Sequence, residues 1–448
     1  MSEVNARTTV GQATGRGQVI AWGFWDWGSA SFNAVILTFV FSVYLTDKVG
    51  DDLPGGVSAS SWLGWALGLS GLIVALTAPI SGQRFDASAK RKRSLGILTA
   101  LTVAAMMLMF FVHDDYHDLW LGLLLLAVGS AFFELAGVPY NAMLRQVSTK
   151  DTVGRVSGFG WAMGYFGGIV LLLICYFGFI SGDGDTRGLL GIPTDDGINI
   201  RLVAVLAAVW FAVFALPVLF AVPELPPTDA DPGAARAGFF GSYRVLWRDL
   251  TELWRVDRRT VGFLLASAIF RDGLAGVFTF GAVLAVQVYG IADSDVLLFG
   301  IAANVVAAIG AVVAGRVDDR GGPKLVIVVS LAAMLVFGTL LLLVSGPLMF
   351  WIFGLLLTVF VGPAQSAARS FLTRVAPPGR EGQLFGLYTT TGRAVSFLSP
   401  MLFGLFAWIF EADRAGIIGL LLVLAVGLAV LLPVGRPDRE ESAPIAAE

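Results

Sequence analysis

The chain has 448 residues, of which 56% are hydrophobic and only 14% are Asp, Glu, Lys or Arg. Soluble chains carry closer to a quarter charged residues, so this composition excludes a string of soluble domains and points to an integral membrane protein. The net charge of −3 gives no reason for a nucleic-acid partner, and the single cysteine, Cys175, excludes an intrachain disulfide or a thiolate metal cluster.

In chain order, residues 1–19 are a polar tail containing Arg7 and Arg16. The tail lacks the apolar core of a cleavable signal peptide, so the first span is expected to direct its own insertion. Apolar runs long enough to cross a bilayer then occur twelve times, roughly over 20–45, 62–81, 94–112, 119–142, 155–180, 201–221, 260–289, 296–314, 325–344, 348–370, 384–409 and 415–434. They divide into an N-terminal six-helix bundle (20–221), a linker (222–259), a C-terminal six-helix bundle (260–434) and a tail (435–448). The linker opens with Pro223-Glu224-Leu225-Pro226-Pro227, which cannot continue a helix. Phe239, Tyr243, Leu246, Trp247, Leu250 and Trp254 then fall at helical spacing, with Arg244, Arg248 and Arg255 between them. That pattern reads as an amphipathic helix on the inner membrane surface, although a plain tether fits as well.

Basic residues set the orientation. With both termini cytoplasmic, the inner loops hold Arg84, Lys90, Arg91, Lys92, Arg93, Arg145, Lys150, Arg316, Arg320, Lys324, Arg374 and Arg380, while Lys48, Arg187, Arg201 and Arg414 lie outside. The predominance of Arg over Lys, with abundant Ala and Gly, suggests a GC-rich bacterial source and hence a plasma membrane. His113 and His117, among Asp114, Asp115 and Asp118, read as a solvated outer loop; no metal or other cofactor is expected.

One short stretch occurs twice: Gly82-Gln83-Arg84-Phe85-Asp86 followed by Lys90 and Arg91, and Gly315-Arg316-Val317-Asp318-Asp319-Arg320 followed by Lys324. The repeat implies two similar halves joined end to end. Gly-x-x-x-Asp followed by basic residues resembles the signature of the major facilitator superfamily between helices 2 and 3, echoed between helices 8 and 9. The first copy departs from that pattern, with Ala87 where a basic residue is usual and Ala89 where Gly is usual. The resemblance implies two pseudo-symmetric bundles about a central cavity and a conformational latch. Gly82 and Gly315 would allow close backbone approach. Asp86 and Asp319 would face a neighbouring helix N-terminus and nearby cations, in a contact made in one state and broken in the other. A bland reading is that these charges only mark a turn.

Trp25-Asp26-Trp27-Gly28-Ser29-Ala30-Ser31-Phe32, Gly154-Arg155-Val156-Ser157-Gly158 with Trp161, Arg271-Asp272-Gly273 and Pro377-Pro378-Gly379-Arg380-Glu381-Gly382 are similar to the branch that includes the vacuolar effluxer of autophagy and its bacterial relatives. That resemblance implies transport, with amino acids among the solutes of the eukaryotic member.

Charged residues within spans are costly and are functional candidates by default. Asp26 lies on helix 1 with Asn33 further along it, and Asp272 lies at the matching place on helix 7 beside Arg271. Asp272 is the first choice for a protonatable or substrate-contacting group. Arg271 is read as an anion contact or internal counter-ion. Asp272 could instead pair with Arg393 as structure. Glu134 on helix 4, near Pro139 and Asn141, is a proton-relay candidate that could instead bond Arg155 or Arg145. Arg393, after Tyr388 and Thr389–Thr391, makes a site for a carboxylate or another anion. Gln365 lies on helix 10 with Arg369, which is read as snorkelling to the inner surface. Trp161 and Tyr165, one turn apart on helix 5, could line the cavity or merely pack. Glycines at small-xxx-small spacing there allow close helix contact.

These observations lead to a monomeric secondary transporter of a small polar solute, working by alternating access, with protons as the coupling ion that Asp26, Glu134 and Asp272 suggest. No phosphate-binding Gly-Lys-Ser or Gly-Lys-Thr loop supports ATP drive. The rivals are a membrane enzyme acting on lipid and a transporter-like scaffold or receptor.

Overall fold

The computed structural model describes residues 15–437 apart from 55, 89, 225–240, 378 and eight positions between 242 and 256. Most of the two polar tails, and Leu225, Pro226, Pro227, Phe239, Leu246, Leu250 and Pro378, lie outside the described residues.

Among the described residues, twelve helices are long and apolar enough to cross a membrane: α1 Arg16–Val49, α2 Ala59–Ala87, α3 Arg91–Phe111, α4 Tyr116–Gln146, α5 Val153–Ile180, α6 Asp195–Ala221, α7 Arg258–Gln287, α8 Leu298–Gly321, α9 Pro323–Leu343, α10 Pro347–Val375, α11 Glu381–Ile409 and α12 Asp413–Leu431. Helices are the form these runs must take, because backbone N–H and C=O groups find no water in the hydrocarbon region. Irregularities fall at definable places. α1 widens into π-helical turns over Ser31–Phe39. Pro79 and Pro139 lie inside α2 and α4. α11 is interrupted between Val395 and Leu398. In the linker, Tyr243, Arg244, Trp247, Arg248, Trp254 and Arg255 are helical, and the Tyr243 hydroxyl donates to the Leu76 carbonyl of α2.

The repeated charged stretches are not turns. Helix persists to Ser88 in the first copy and to Gly321 in the second. Asp86 and Asp319 are therefore last-turn residues, and neighbouring helices rather than bulk solvent satisfy them. The second helix stops at Gly322, whose φ of +86° suits glycine, and Pro323 begins α9 at once.

Two apolar clusters match two pseudo-symmetric six-helix bundles of the major facilitator fold. One is built around Trp22, Phe32, Phe41 and Phe211, the other around Phe263, Phe270, Phe371 and Phe385. Val74 and Ala78 of α2 and Val138 and Ala142 of α4 belong to the second cluster, which marks the seam between bundles. Two helix pairs dominate that seam, α2 with α11 and α5 with α8.

Both pairs meet backbone to backbone at the end carrying the repeats, here termed the charged end. A Cβ on Gly386 would lie 2.5 Å from the Ala78 carbonyl oxygen, and one on Gly82 would strike Gly382. Cβ atoms on Gly154 and Gly315 would each lie 2.7 Å from the other's carbonyl oxygen. Further along α2 the same face continues through Ala75, Gly71, Gly68 and Gly64, at steps of three and four. Thr390 Oγ1 donates to the Ala75 carbonyl at 2.8 Å, and Gly71 faces Arg393. A Cβ on Gly68 or Gly64 would meet nothing within 4 Å, nor would one on Gly300 of α8 or Gly404 of α11. The small-residue faces are thus occupied from the charged end to mid-depth and open beyond it.

Candidate transport site

Polar groups cross the seam in three tiers. The outermost lies at the charged end. Asp86 accepts from the backbone N–H groups of Gly382 (3.0 Å) and Gln383 (2.8 Å), at the N-terminus of α11. It also accepts from Arg91 at 2.6 Å, and Arg91 bridges at 2.6 Å to Glu381. Arg145, at the end of α4, reaches Glu381 at 3.1 Å and the Ala376 carbonyl at 2.8 Å. The second copy does the same at α5: Asp319 accepts from Gly154 N–H at 2.8 Å and from Arg155 Nε at 2.6 Å, while Asp318 pairs with Arg374 at 2.8 Å. Each carboxylate thus reaches the positive N-terminal end of a helix in the opposite bundle. Lys90 and Arg320 are exposed. Lys324 turns away from the repeat to donate to the Leu432 (2.7 Å) and Val434 (2.5 Å) carbonyls. Asp318, Glu381 and Arg374, to which the sequence assigns no role, join the network, as do Arg145 and Arg155.

The second tier is centred on Arg369 of α10, which is only 4% exposed. Its reading as a snorkelling residue is corrected: the guanidinium crosses into the N-terminal bundle. It contacts Asp26 Oδ2 at 3.2 Å and donates to Asn141 Oδ1 at 3.3 Å, Ser157 Oγ at 3.0 Å and the Ser157 carbonyl at 2.7 Å. It also lies 4.8 Å over the Trp22 ring and 5.6 Å from that of Trp161. Gly160 forms the seat, since a Cβ there would come within 2.7 Å of both Arg369 Nη2 and Asp26 Oδ2. Gln365 is half-buried one turn earlier on α10, and Tyr165 stands next to Trp161 with ring centroids 6.0 Å apart. The Trp161 indole N–H and the Tyr165 hydroxyl are buried without hydrogen-bond partners. Asn33 is exposed and takes no part.

The third tier lies at mid-depth. Arg393 of α11 pairs with Glu134 of α4, its Nε donating to Oε2 at 2.6 Å. This corrects two expectations. Glu134 bonds neither Arg145 nor Arg155, which serve the outer tier, and Arg393 does not pair with Asp272. Asp272 Oδ2 instead accepts from the Ser399 N–H at 2.7 Å. That group is freed by the interruption in α11, so the carboxylate caps the helix restarting at Leu398. Asp26 and Asp272 thus have different surroundings, the one an arginine and the other a helix N-terminus. Arg271 lies flat on Tyr388, 3.7 Å from the ring centroid, and donates to the Tyr388 carbonyl at 3.1 Å.

The layout offers fixed charges, hydroxyls and aromatic faces along a seam between two helical bundles. It can hold and release a polar solute without covalent chemistry. A sequence family described as "vacuole effluxer Atg22 like" matches residues 47–442. The chain belongs to that family. This Atg22-like chain is 23% identical, over 92% of its length and 93% of the relative's, to a Bacillus subtilis protein named as the uncharacterized MFS-type transporter YxiO. It is 26% identical to autophagy-related protein 22-1 of Neosartorya fischeri over 66% of its own length. There it spans only 50% of the fungal protein. Among solved structures, it resembles the proton:xylose symporter XylE, with a TM-score of 0.71, 14% identity and coverage of 94% and 96% of the two chains. It also resembles the human organic anion transporter MFSD10, with a TM-score of 0.69, 14% identity and coverage of 93% and 99%. The Atg22-like chain thus has the major facilitator fold and is an MFS-type transporter of this branch.

Proposed function

We propose that this transporter moves a small polar solute through the seam by alternating access, as a single chain in a bacterial plasma membrane. The charged end is taken as cytoplasmic because it gathers most of the loop Lys and Arg. One observation carries the reading: ties between the bundles fill the half of the seam nearest the charged end, and the small-residue faces of α2, α8 and α11 are open in the other half. That is the arrangement of a carrier closed on one side. Proton coupling is supported by Asp26 and Glu134, each of which would be left without its arginine when the bundles part there. An isolated carboxylate in low dielectric takes up a proton.

The test is flux in proteoliposomes holding the full chain with Cys175→Ala. Cysteines replacing the exposed Lys90 and Arg380, either side of the α2–α11 contact, are bridged with a bis-maleimide. Bridging should abolish solute counterflow, and the uncrosslinked double variant should retain it. Full counterflow with the charged end tied shut defeats alternating access. Uptake driven by an imposed pH gradient, lost in Asp26→Asn but not in a surface control, tests the proton.

A further inference from the structure

The arginines within the spans are not equally compensated. Arg369 and Arg393 each hold a carboxylate from the opposite bundle, whereas Arg271 has no ion-pair partner among the described residues. Arg271 lies about 20 Å along α7 from the charged end, at 1.5 Å per residue. Its guanidinium rests on the Tyr388 ring and makes one hydrogen bond, from Nη1 to the Tyr388 carbonyl. A guanidinium carries five N–H donors. None of its nitrogens is a buried, unpartnered atom, so the remaining donors face accessible space. The neighbouring acid does not neutralise it locally. Asp272 points about 100° round the helix and is committed to Ser399. Gly392, one turn beyond Tyr388, lets the guanidinium lie close on α11, since a Cβ there would come within 3.2 Å of Nη1.

An uncompensated cation inside a span is a costly feature kept for function, and a planar fork fits a carboxylate with two parallel bonds.

We propose that Arg271 receives a carboxylate of the transported solute. The assignment rests on the transporter reading above. A carboxylate could belong to a simple organic acid or to a zwitterion, and the two are separable by experiment.

The full chain, purified in detergent, is titrated with lactate, phenylacetate, glutamate and phenylalanine, and with phenylalaninamide as the counterpart lacking the carboxylate. Binding is read as a thermal shift. At least one carboxylate should stabilise the wild type and phenylalaninamide should not. Binding should weaken about 10- to 100-fold in Arg271→Gln and less in Arg271→Lys. Arg316→Gln, an exposed change at the charged end, should leave it unchanged. Response to lactate or phenylacetate identifies a simple acid; response to phenylalanine or glutamate alone identifies a zwitterion. Equal stabilisation by phenylalaninamide and phenylalanine, unaltered binding in a folded Arg271→Gln, or a wild type unmoved by every carboxylate overturns the assignment. Flux of the same compounds separates the two claims. Carboxylate binding without flux defeats the transporter reading and leaves the site, whereas flux that survives Arg271→Gln defeats the site and leaves transport.

Discussion

Gly386→Ala offers the sharpest test of how the seam closes. A Cβ at this position would lie 2.5 Å from the Ala78 carbonyl oxygen and 2.8 Å from Pro79 Cα. Both are backbone atoms, so no side chain can rotate out of the way. Ordinary contact begins near 3.4 Å, and α2 and α11 must therefore separate by roughly 1 Å at their tightest point. Overpacking of this kind costs about 1–3 kcal/mol, which shifts a two-state ratio roughly 5- to 150-fold. The cost falls only on the conformation in which α2 and α11 touch here. The variant should thus stay folded while populating the state open at the charged end. Spin labels on cysteines replacing Lys90 and Arg380, in a Cys175→Ala background, report the distance across this contact by pulsed electron resonance. The expected result is a second, longer distance component in Gly386→Ala that is absent or minor with glycine. An unchanged distribution in a folded variant would refute the claim that backbone contact between α2 and α11 holds this end shut.

Three further outcomes follow from the tiers. Arg369→Gln should lower the melting temperature markedly, because removing one member of a buried pair costs about 3–5 kcal/mol. Adding Asp26→Asn should recover part of that loss, and equal melting temperatures for the single and double variants would argue against the pair. For Glu134 and Arg393, the exchange Glu134→Arg with Arg393→Glu should transport better than either single change, as measured by vesicle flux. Asp272→Asn should keep near-wild-type stability, since an amide oxygen can still accept from Ser399, while Asp272→Ala should lose about 1 kcal/mol and speed hydrogen exchange at Ser399. Comparable behaviour of the two Asp272 variants would count against capping.

Much of the fold was legible because hydropathy alone fixes twelve spans, and most expected ends fall within a few residues of the helices. The clear exceptions are informative. α2 and α8 continue through the repeated charges because partners in the opposite bundle, invisible in one dimension, satisfy Asp86 and Asp319. Arg369 was misread for a similar reason. A cation near a span's end can turn to the surface or inward, and only the seam decides, by presenting Asp26 from 343 positions away. The small residues around it, Ala364, Ser366, Ala367, Ala368 and Ser370, were the available clue to a tightly packed face. Asp272 was hidden by the interruption of α11, although Pro400 signalled it: a proline ring conflicts with the carbonyl four residues earlier, at Ser396. The pairing of Glu134 with Arg393 had no local signal, since it depends on which face each helix turns to the seam.

The capped interruption in α11 has a mechanical consequence. The segment Glu381–Val395 is stitched to α2, and the segment Leu398–Ile409 is held to α7 through Asp272. Between them the rod has no continuous hydrogen-bond ladder to transmit torque. Both segments stay tied to α7, the first through Arg271 on Tyr388 and the second through Asp272, so a bend at the break would strain the hydrogen-bond ladder of neither.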